Sequence, residues 1–213
     1  MSAVEDEKRA AAVQAAGLVE DGMTVGLGTG STVAYLLPVL AARRLNLHCV
    51  ATSPRTDEAA RALGFSLEPF DALDRLDLTI DGADQIDPAG WLVKGGGAAH
   101  TREKVVAAAS DRFVVIGSSD KLVEAVAPPV PLELLPFGVR ATLRTLGPAE
   151  LRDAPPSPDG GVIADYLGAV EDPADLADRL AAVPGVVEHG LFPPELVSEV
   201  LVARAGRVER MAL

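Results

Sequence analysis

Short apolar runs alternate along the chain with stretches whose apolar positions recur at helical spacing, and this alternation predicts most of the elements. Asp6 to Val19 is alanine-rich with polar residues along one side, which predicts a helix punctuated at its end by Gly17 and Gly22. Met23 to Leu27 is a short apolar run of strand character, and a turn of Gly, Thr and Ser leads from it into an apolar helical stretch, Val33 to Arg44. Leu47 to Thr52 reads as a second strand and Asp57 to Leu63 as a helix closed by Gly64. A third strand, Leu76 to Ile80, runs straight into Asp81-Gly82-Ala83-Asp84. Trp91 to Lys94 reads as a short strand before three glycines and a helix from about Thr101 to Ser110. Phe113 to Gly117 is a further buried strand.

Strands and helices alternating at this spacing predict an α/β fold: a Rossmann-like, mostly parallel sheet with helices on both faces. After Lys121 the pattern changes. Ala127-Pro128-Pro129-Val130-Pro131 reads as a stiff connector, with Pro136 close behind. A helix over about 138–146, a turn-rich stretch from Ala154 to Gly161, a strand from Val162 to Tyr166 and a helix opened by Asp172-Pro173 and running to Leu180 follow. The expected organisation is a Rossmann-like domain over 1–127, rejoined by about 200–213, and a smaller α+β, ferredoxin-like domain over 128–199.

Composition narrows the class. With 48% hydrophobic and 23% charged residues in 213, the chain has enough apolar surface to fold, and disorder is excluded. No run reaches the roughly 18 apolar residues of a membrane span, and the acidic start, Met1-Ser-Ala-Val-Glu-Asp-Glu, lacks the basic and apolar regions of an export signal. A cytoplasmic location is therefore expected. The single cysteine, Cys49, excludes an internal disulfide and a cysteine-paired metal site. A net charge of −12 with no basic cluster beyond Arg43-Arg44 argues against nucleic acid. That field also repels anions, so an anionic substrate would need local donors. Arginine outnumbers lysine 15 to four, and the lysines are Lys8, Lys94, Lys104 and Lys121; each is a place where a compact ammonium is favoured.

Gly26-Leu-Gly-Thr-Gly-Ser-Thr32 sits where a strand meets a helix, a setting that offers free backbone N–H groups and a positive dipole end to an anion. The dinucleotide fingerprint fails, because Ser31 stands where the third glycine belongs and the second strand ends Ala51-Thr52-Ser53 without an acid. The turn thus suits one phosphate monoester, with the hydroxyls of Thr29, Ser31 and Thr32 at hand. The alternative is an ordinary tight turn in which Ser31 or Thr32 caps the helix.

Asp81 and Asp84 flank Gly82-Ala83 at the carboxyl end of a strand, the edge at which open α/β sheets bind ligands. Gln85 and Asp87 read as surface. Lys94-Gly95-Gly96-Gly97 sets an ammonium beside backbone that a ligand can approach closely, and three glycines cost more entropy to order than a plain connector warrants. Glu103 follows in the first turn of the next helix, as a pocket acid or as a partner of the helix dipole. Arg102 and Lys104 read as surface charges, Lys121 as a solvated or ligand-facing lysine, and His100, three residues before Glu103, as a helix-surface position or a residue that touches the pocket. His48 reads as structural, and Thr56 as the cap of the helix beginning at Asp57. The three histidines show no metal-binding spacing.

In order and spacing the glycine turn, Asp81-Gly-Ala-Asp-Gln-Ile-Asp87, Lys94-Gly-Gly-Gly-Ala-Ala-His-Thr-Arg-Glu-Lys104 and Lys121 resemble the type A ribose-5-phosphate isomerases. Pro131-Leu-Glu-Leu-Leu-Pro136 and Pro184-Gly-Val-Val-Glu-His-Gly-Leu-Phe192 extend the resemblance over nearly the whole chain. It implies an aldose–ketose isomerase of the pentose phosphate pathway, working on a sugar phosphate without metal or cofactor, as a homodimer or homotetramer. It further implies that Thr29–Thr32 and Lys121 bind substrate, that Asp81, Gly82, Ala83, Asp84, Lys94, Gly95, Gly96 and Gly97 line the sugar, and that Glu103 is the general base. Catalysis is expected from Glu103, Asp81, Asp84 and Lys94. The chain departs from the family pattern at Gln85, at His100, where leucine is usual, and at the turn Ser157-Pro-Asp-Gly-Gly161. The alternative is a non-catalytic sugar-phosphate sensor, which normally carries a fused DNA-reading helix-turn-helix; the residues before the glycine turn show no such pattern.

Overall fold

A computed structural model describes residues 2–212. In chain order its first half holds α1 (Ala3–Ala16), β1 (Thr24–Leu27), α2 (Ser31–Ala42), β2 (His48–Ala51), α3 (Pro54–Ala62), β3 (Ser66–Leu67), β4 (Leu78–Gly82), β5 (Gln85–Ile86), β6 (Leu92–Val93), α4 (His100–Ala108) and β7 (Phe113–Ser118). The second half holds β8 (Val130–Leu134), α5 (Val139–Leu146), β9 (Ala149–Leu151), β10 (Val162–Tyr166), α6 (Pro173–Ala181), β11 (Val186–His189), β12 (Leu191–Phe192), β13 (Glu199–Arg204) and β14 (Arg207–Ala212).

The chain divides into two compact units. The first is Met1–Ala83 with Glu103–Leu122 and Glu195–Leu213; the second is Asp84–Arg102 with Val123–Pro194. The second unit thus takes in 84–102, which the sequence reading had assigned to the first. The cause is strand pairing: Leu191↔Val93 and Phe192↔Leu92 tie β6 to β12, and β5 completes that three-stranded sheet.

The first unit is built on a seven-stranded sheet of order β14-β13-β7-β4-β1-β2-β3, parallel except for the β13–β14 pair. All six positions of β7 are buried, as a strand covered on both faces requires. Val25, Leu27, Ile80 and Ile116 pack with Leu36 and Leu40 of α2 and with Ala11, Ala12, Ala15 and Ala16 of α1. Helix α1 begins earlier than its apolar pattern suggests, because Ser2 and Glu5 form a reciprocal capping box. Helix α3 likewise begins at Pro54: Ser53, not Thr56, is its cap, its hydroxyl accepting from the Thr56 N–H.

Asp77, just before β4, accepts from the N–H and the hydroxyl of Thr24, each at 2.7 Å, and so locks the entrance of β1 to that of β4. The N–H bond first, and the hydroxyl after it, hold the Asp77 carboxyl below its usual value. A carboxyl depressed in this way adds stability above its unfolded pKa and loses it as pH falls through the folded one. Asp77→Ala should therefore melt below wild type at about pH 7, with the gap closing as pH drops below about 4. A gap independent of pH in thermal melts would show that this linkage is absent.

The second unit contains a four-stranded antiparallel sheet of order β11-β8-β10-β9. Its connectivity, β8-α5-β9-β10-α6-β11, is the ferredoxin-like βαββαβ path. Leu146 of α5 and Leu176 and Leu180 of α6 close over Leu132, Leu134 and Ala164. Asp172 caps α6 by accepting from the N–H groups of Ala174 and Asp175, as the Asp-Pro pair predicts. The expected proline connector is corrected at its end: β8 starts at Val130 and is buried at all five positions. Pro131 has no N–H to give to the ladder, yet its carbonyl accepts from Gly190 at 2.7 Å. Asp87 is also corrected, from surface to buried; its Oδ1 accepts from the N–H groups of Ala89 and Trp91 and closes the β5–β6 turn. Gln85 is half-buried and makes two bonds with the Ala127 backbone.

Candidate active site

In the first unit the strand order reverses direction between β1 and β4, so their carboxyl ends form a topological switch point. Asp81, fully buried, stands at that end of β4. Its Oδ1 accepts from the Thr29 N–H at 2.9 Å and the Gly82 N–H at 2.7 Å. A Cβ on Gly28 would lie 2.0 Å from both Cγ and Oδ1 of Asp81. Glycine is therefore required at position 28 for contact rather than for backbone freedom, and the carboxylate anchors the glycine turn directly.

That turn ends at Gly30, the N-cap of α2, with φ of 130° and no side-chain cap among the described residues. Neither Ser31 nor Thr32 caps the helix, so among the described residues no side chain takes up its first amides, which carry the positive end of the dipole. The Thr29 hydroxyl lies 2.8 Å from the hydroxyls of both Thr52 and Ser53, and the Thr56 hydroxyl donates to the Gly28 carbonyl at 2.9 Å. The loop after β2 thus braces the loop after β1. Ser31 is exposed and Thr32 buried.

Helix α1 supplies two groups that the sequence reading did not place at a site. Lys8 Nζ donates to Ser31 Oγ at 2.9 Å. Glu7 accepts from the N–H and the hydroxyl of Ser119, at 2.9 and 2.8 Å, and these bonds lower its pKa, the backbone bond most. Ser119 opens the short 3₁₀ turn ending in Lys121, whose partly exposed ammonium lies 3.6 Å from Asp120. Lys8, on α1, thus bonds the first residue of the helix after β1, and Lys121 lies in the turn after β7, both at the carboxyl edge of one sheet. The retained lysine in an arginine-rich chain was the available signal for Lys8.

In the second unit Asp84 is exposed and accepts from the Gly96 N–H at 2.7 Å. Lys94 is 2% exposed, and its ammonium lies 5.4 Å from the centre of the Phe192 ring. Its backbone N–H donates to Gly190 at 2.8 Å. Gly95 has φ of 111°, and a Cβ there would come within 2.7 Å of His100 Nδ1, so the first of the three glycines is needed on both counts. His100 is corrected from helix surface to fully buried, with Nε2 3.4 Å from the Glu188 carbonyl. Its neighbours are equally committed: the Thr101 hydroxyl donates to the buried Glu133, which also accepts from Ser157, and Arg102 makes a two-pronged pair with Asp159. The divergent turn at 157–161 therefore still serves the start of α4. Glu103, next along that helix, is 3% exposed.

The first unit thus holds the buried acids Glu103 and Asp81 and an uncapped helix start, and the second a buried lysine, Lys94, and an exposed carboxylate, Asp84. Residues 48–207 match the family described as ribose 5-phosphate isomerase A (phosphoriboisomerase A). The chain belongs to the ribose 5-phosphate isomerase A family. The isomerase of that name from Rhodopseudomonas palustris (strain HaA2) is 45% identical over 208 residues, covering 88% of this chain and 90% of the relative. Among solved structures, ribose 5-phosphate isomerase A from Methanocaldococcus jannaschii aligns with a TM-score of 0.93 at 32% identity, over 98% of this chain and 99% of that one. A D-ribose-5-phosphate isomerase in complex with phospho-erythronic acid gives 0.93 at 33% identity over the whole of both chains. Among the described residues, no group of three or more His, Cys, Asp or Glu could hold a metal ion.

Proposed function

We infer that this chain interconverts D-ribose 5-phosphate and D-ribulose 5-phosphate, and we propose that Glu103 carries the proton. The full-length match to the isomerase solved with phospho-erythronic acid carries the reading. That compound has a phosphate at one end and a carboxylate at the other, the latter resembling the planar anion formed during isomerisation.

In the proposed sequence Glu103 takes the C2 proton of the open-chain aldose. The electron pair left behind forms the C1–C2 double bond, and O1 gains negative charge. Lys94 offsets that charge, as a pre-placed cation in a water-poor setting does efficiently. The O2 proton passes to O1, Glu103 returns its proton to C1, and O2 becomes the ketose carbonyl. Asp81 and Asp84 hold the hydroxyls and assist ring opening. Thr29, Gly30, Ser31, Thr32 and Lys121 receive the phosphate, with Gly82, Ala83 and Gly95–Gly97 along the sugar.

Lys8 joins the phosphate group in this account. Its bond to Ser31 aims an ammonium at the uncapped start of α2. Lys8→Met should raise KM for ribose 5-phosphate about tenfold, the loss expected for one charge-assisted bond, with kcat nearly unchanged. An unaltered KM in steady-state kinetics would remove Lys8 from the site.

The same reading includes a cytoplasmic homodimer or homotetramer that needs neither metal nor cofactor; among the described residues no helix is long and apolar enough to cross a membrane. The test of function is conversion of ribose 5-phosphate by the purified chain in chelator with nothing added. Binding without turnover would instead support a sensor.

A further inference from the structure

Arg152, directly after β9, makes four hydrogen bonds within the second unit. Nε and Nη2 donate to the two carboxylate oxygens of Asp165 on β10, Nε at 2.9 Å. Nη1 donates to the Gly95 carbonyl at 2.9 Å and reaches the Gly96 carbonyl at 3.4 Å. Asp84 takes the Gly96 N–H at 2.7 Å. The Gly95 carbonyl and the Gly96 N–H are the two polar edges of one peptide group, so Arg152 and Asp84 grip the same plane from opposite sides.

A Gly-Gly peptide is the unit of backbone with the greatest freedom to rotate, and it stays oriented only where both edges are engaged. Arginine suits the task because its planar fork can be fixed by one carboxylate while its remaining donor serves a carbonyl. The pair is about four-fifths buried, which spares these bonds full competition from water.

We propose that Arg152, held by Asp165, is a positioning residue that orients the Gly95–Gly96 peptide and, through it, the Asp84 carboxylate for the sugar portion of the substrate. The proposal rests on the reading that Asp84 and Lys94–Gly97 serve the sugar. It predicts a selective defect. Arg152→Met should weaken phospho-erythronic acid at least about tenfold and raise KM for ribose 5-phosphate similarly, since small misplacements of positioning groups are costly. Inhibition by inorganic phosphate, which in this reading needs only the glycine turn, Lys8 and Lys121 of the other unit, should be unchanged. Arg152→Lys should recover part of the loss, and Asp165→Asn should show the same selective pattern in milder form. These two variants keep the test open should the methionine variant not fold.

Wild-type affinity for the sugar acid in all three variants would overturn the proposal. Equal weakening of the sugar acid and inorganic phosphate would overturn it too, because that pattern marks general loss of structure. Absence of isomerisation by the wild-type chain would instead overturn the functional reading, a result seen before any variant is made.

Discussion

Glu103→Gln is expected to lower kcat by about 10²–10⁴-fold, the span attributable to one positioned base. The substitution keeps size and hydrogen-bonding capacity but removes the group that can take and return a carbon-bound proton. The proposed reading puts phosphate and sugar contacts on other residues, so phospho-erythronic acid should still bind within about threefold of wild type by calorimetry. Glu103→Asp keeps the charge but withdraws it by one methylene, and should fall between the two, since reaction rates are steep in the distance to the reacting atom. Burial of Glu103 at 3% exposure sets the acid apart from ordinary first-turn helix acids, which sit in water. Near wild-type turnover in Glu103→Gln would remove this residue from the chemistry.

A single methyl group should be nearly as damaging at Gly28. An added Cβ meets Cγ and Oδ1 of Asp81 at 2.0 Å and its Cβ at 2.4 Å. The carboxylate cannot simply swing aside, because it is held by the N–H groups of Thr29 and Gly82. Gly28→Ala should therefore cost about 1–3 kcal/mol of stability, the usual range for overpacking. It should also lower kcat/KM by roughly 10²-fold, because both Asp81 and the glycine turn proposed to bind phosphate are moved. Adding Asp81→Gly to that variant removes the clash but also the bonds from Thr29 and Gly82, so melting temperature should recover only in part while activity does not. A Gly28→Ala protein with wild-type stability and kcat/KM would show that the turn and Asp81 are not coupled.

The parts of the fold that could be read from sequence are those whose burial is written in their own composition. Phe113-Val-Val-Ile-Gly117 must be a covered strand wherever it lies, and β7 is one. Asp172-Pro173 carries both the cap and the first-turn residue of α6. The two-residue strands β3, β5 and β12 have no period of their own and exist through their pairing partners, so local pattern could not reveal them, whereas β6 falls within the stretch Trp91 to Lys94 that reads as a strand. Pro131 hid β8, because a missing donor argues against a central strand unless the partner geometry is known.

At the candidate site the glycine turn, Asp81 and the Lys94-Gly-Gly-Gly97 block announce themselves through unusual composition. Their supports do not. Glu7 and Lys8 look like the solvated face of a helix until their bonds to Ser119 and Ser31 are seen, 112 and 23 residues away in sequence. Arg152 and Glu133 look like ordinary strand charges, yet one meets Gly95 and Asp165 and the other Thr101 and Ser157. His100 turned out to be buried because Glu188, 88 positions on, offers it a carbonyl. Long-range pairing of polar groups is the information that local pattern lacks.

The most direct test of proton transfer through Glu103 follows the hydrogen at C2 of ribose 5-phosphate by NMR in heavy water. The account predicts that the wild-type chain carries the C2 hydrogen to C1 of ribulose 5-phosphate, with solvent deuterium entering only as far as the proton on Glu103 exchanges during turnover, and that Glu103→Gln loses turnover and exchange together. Undiminished turnover in Glu103→Gln, with the C2 hydrogen carried wholly to C1, would contradict it.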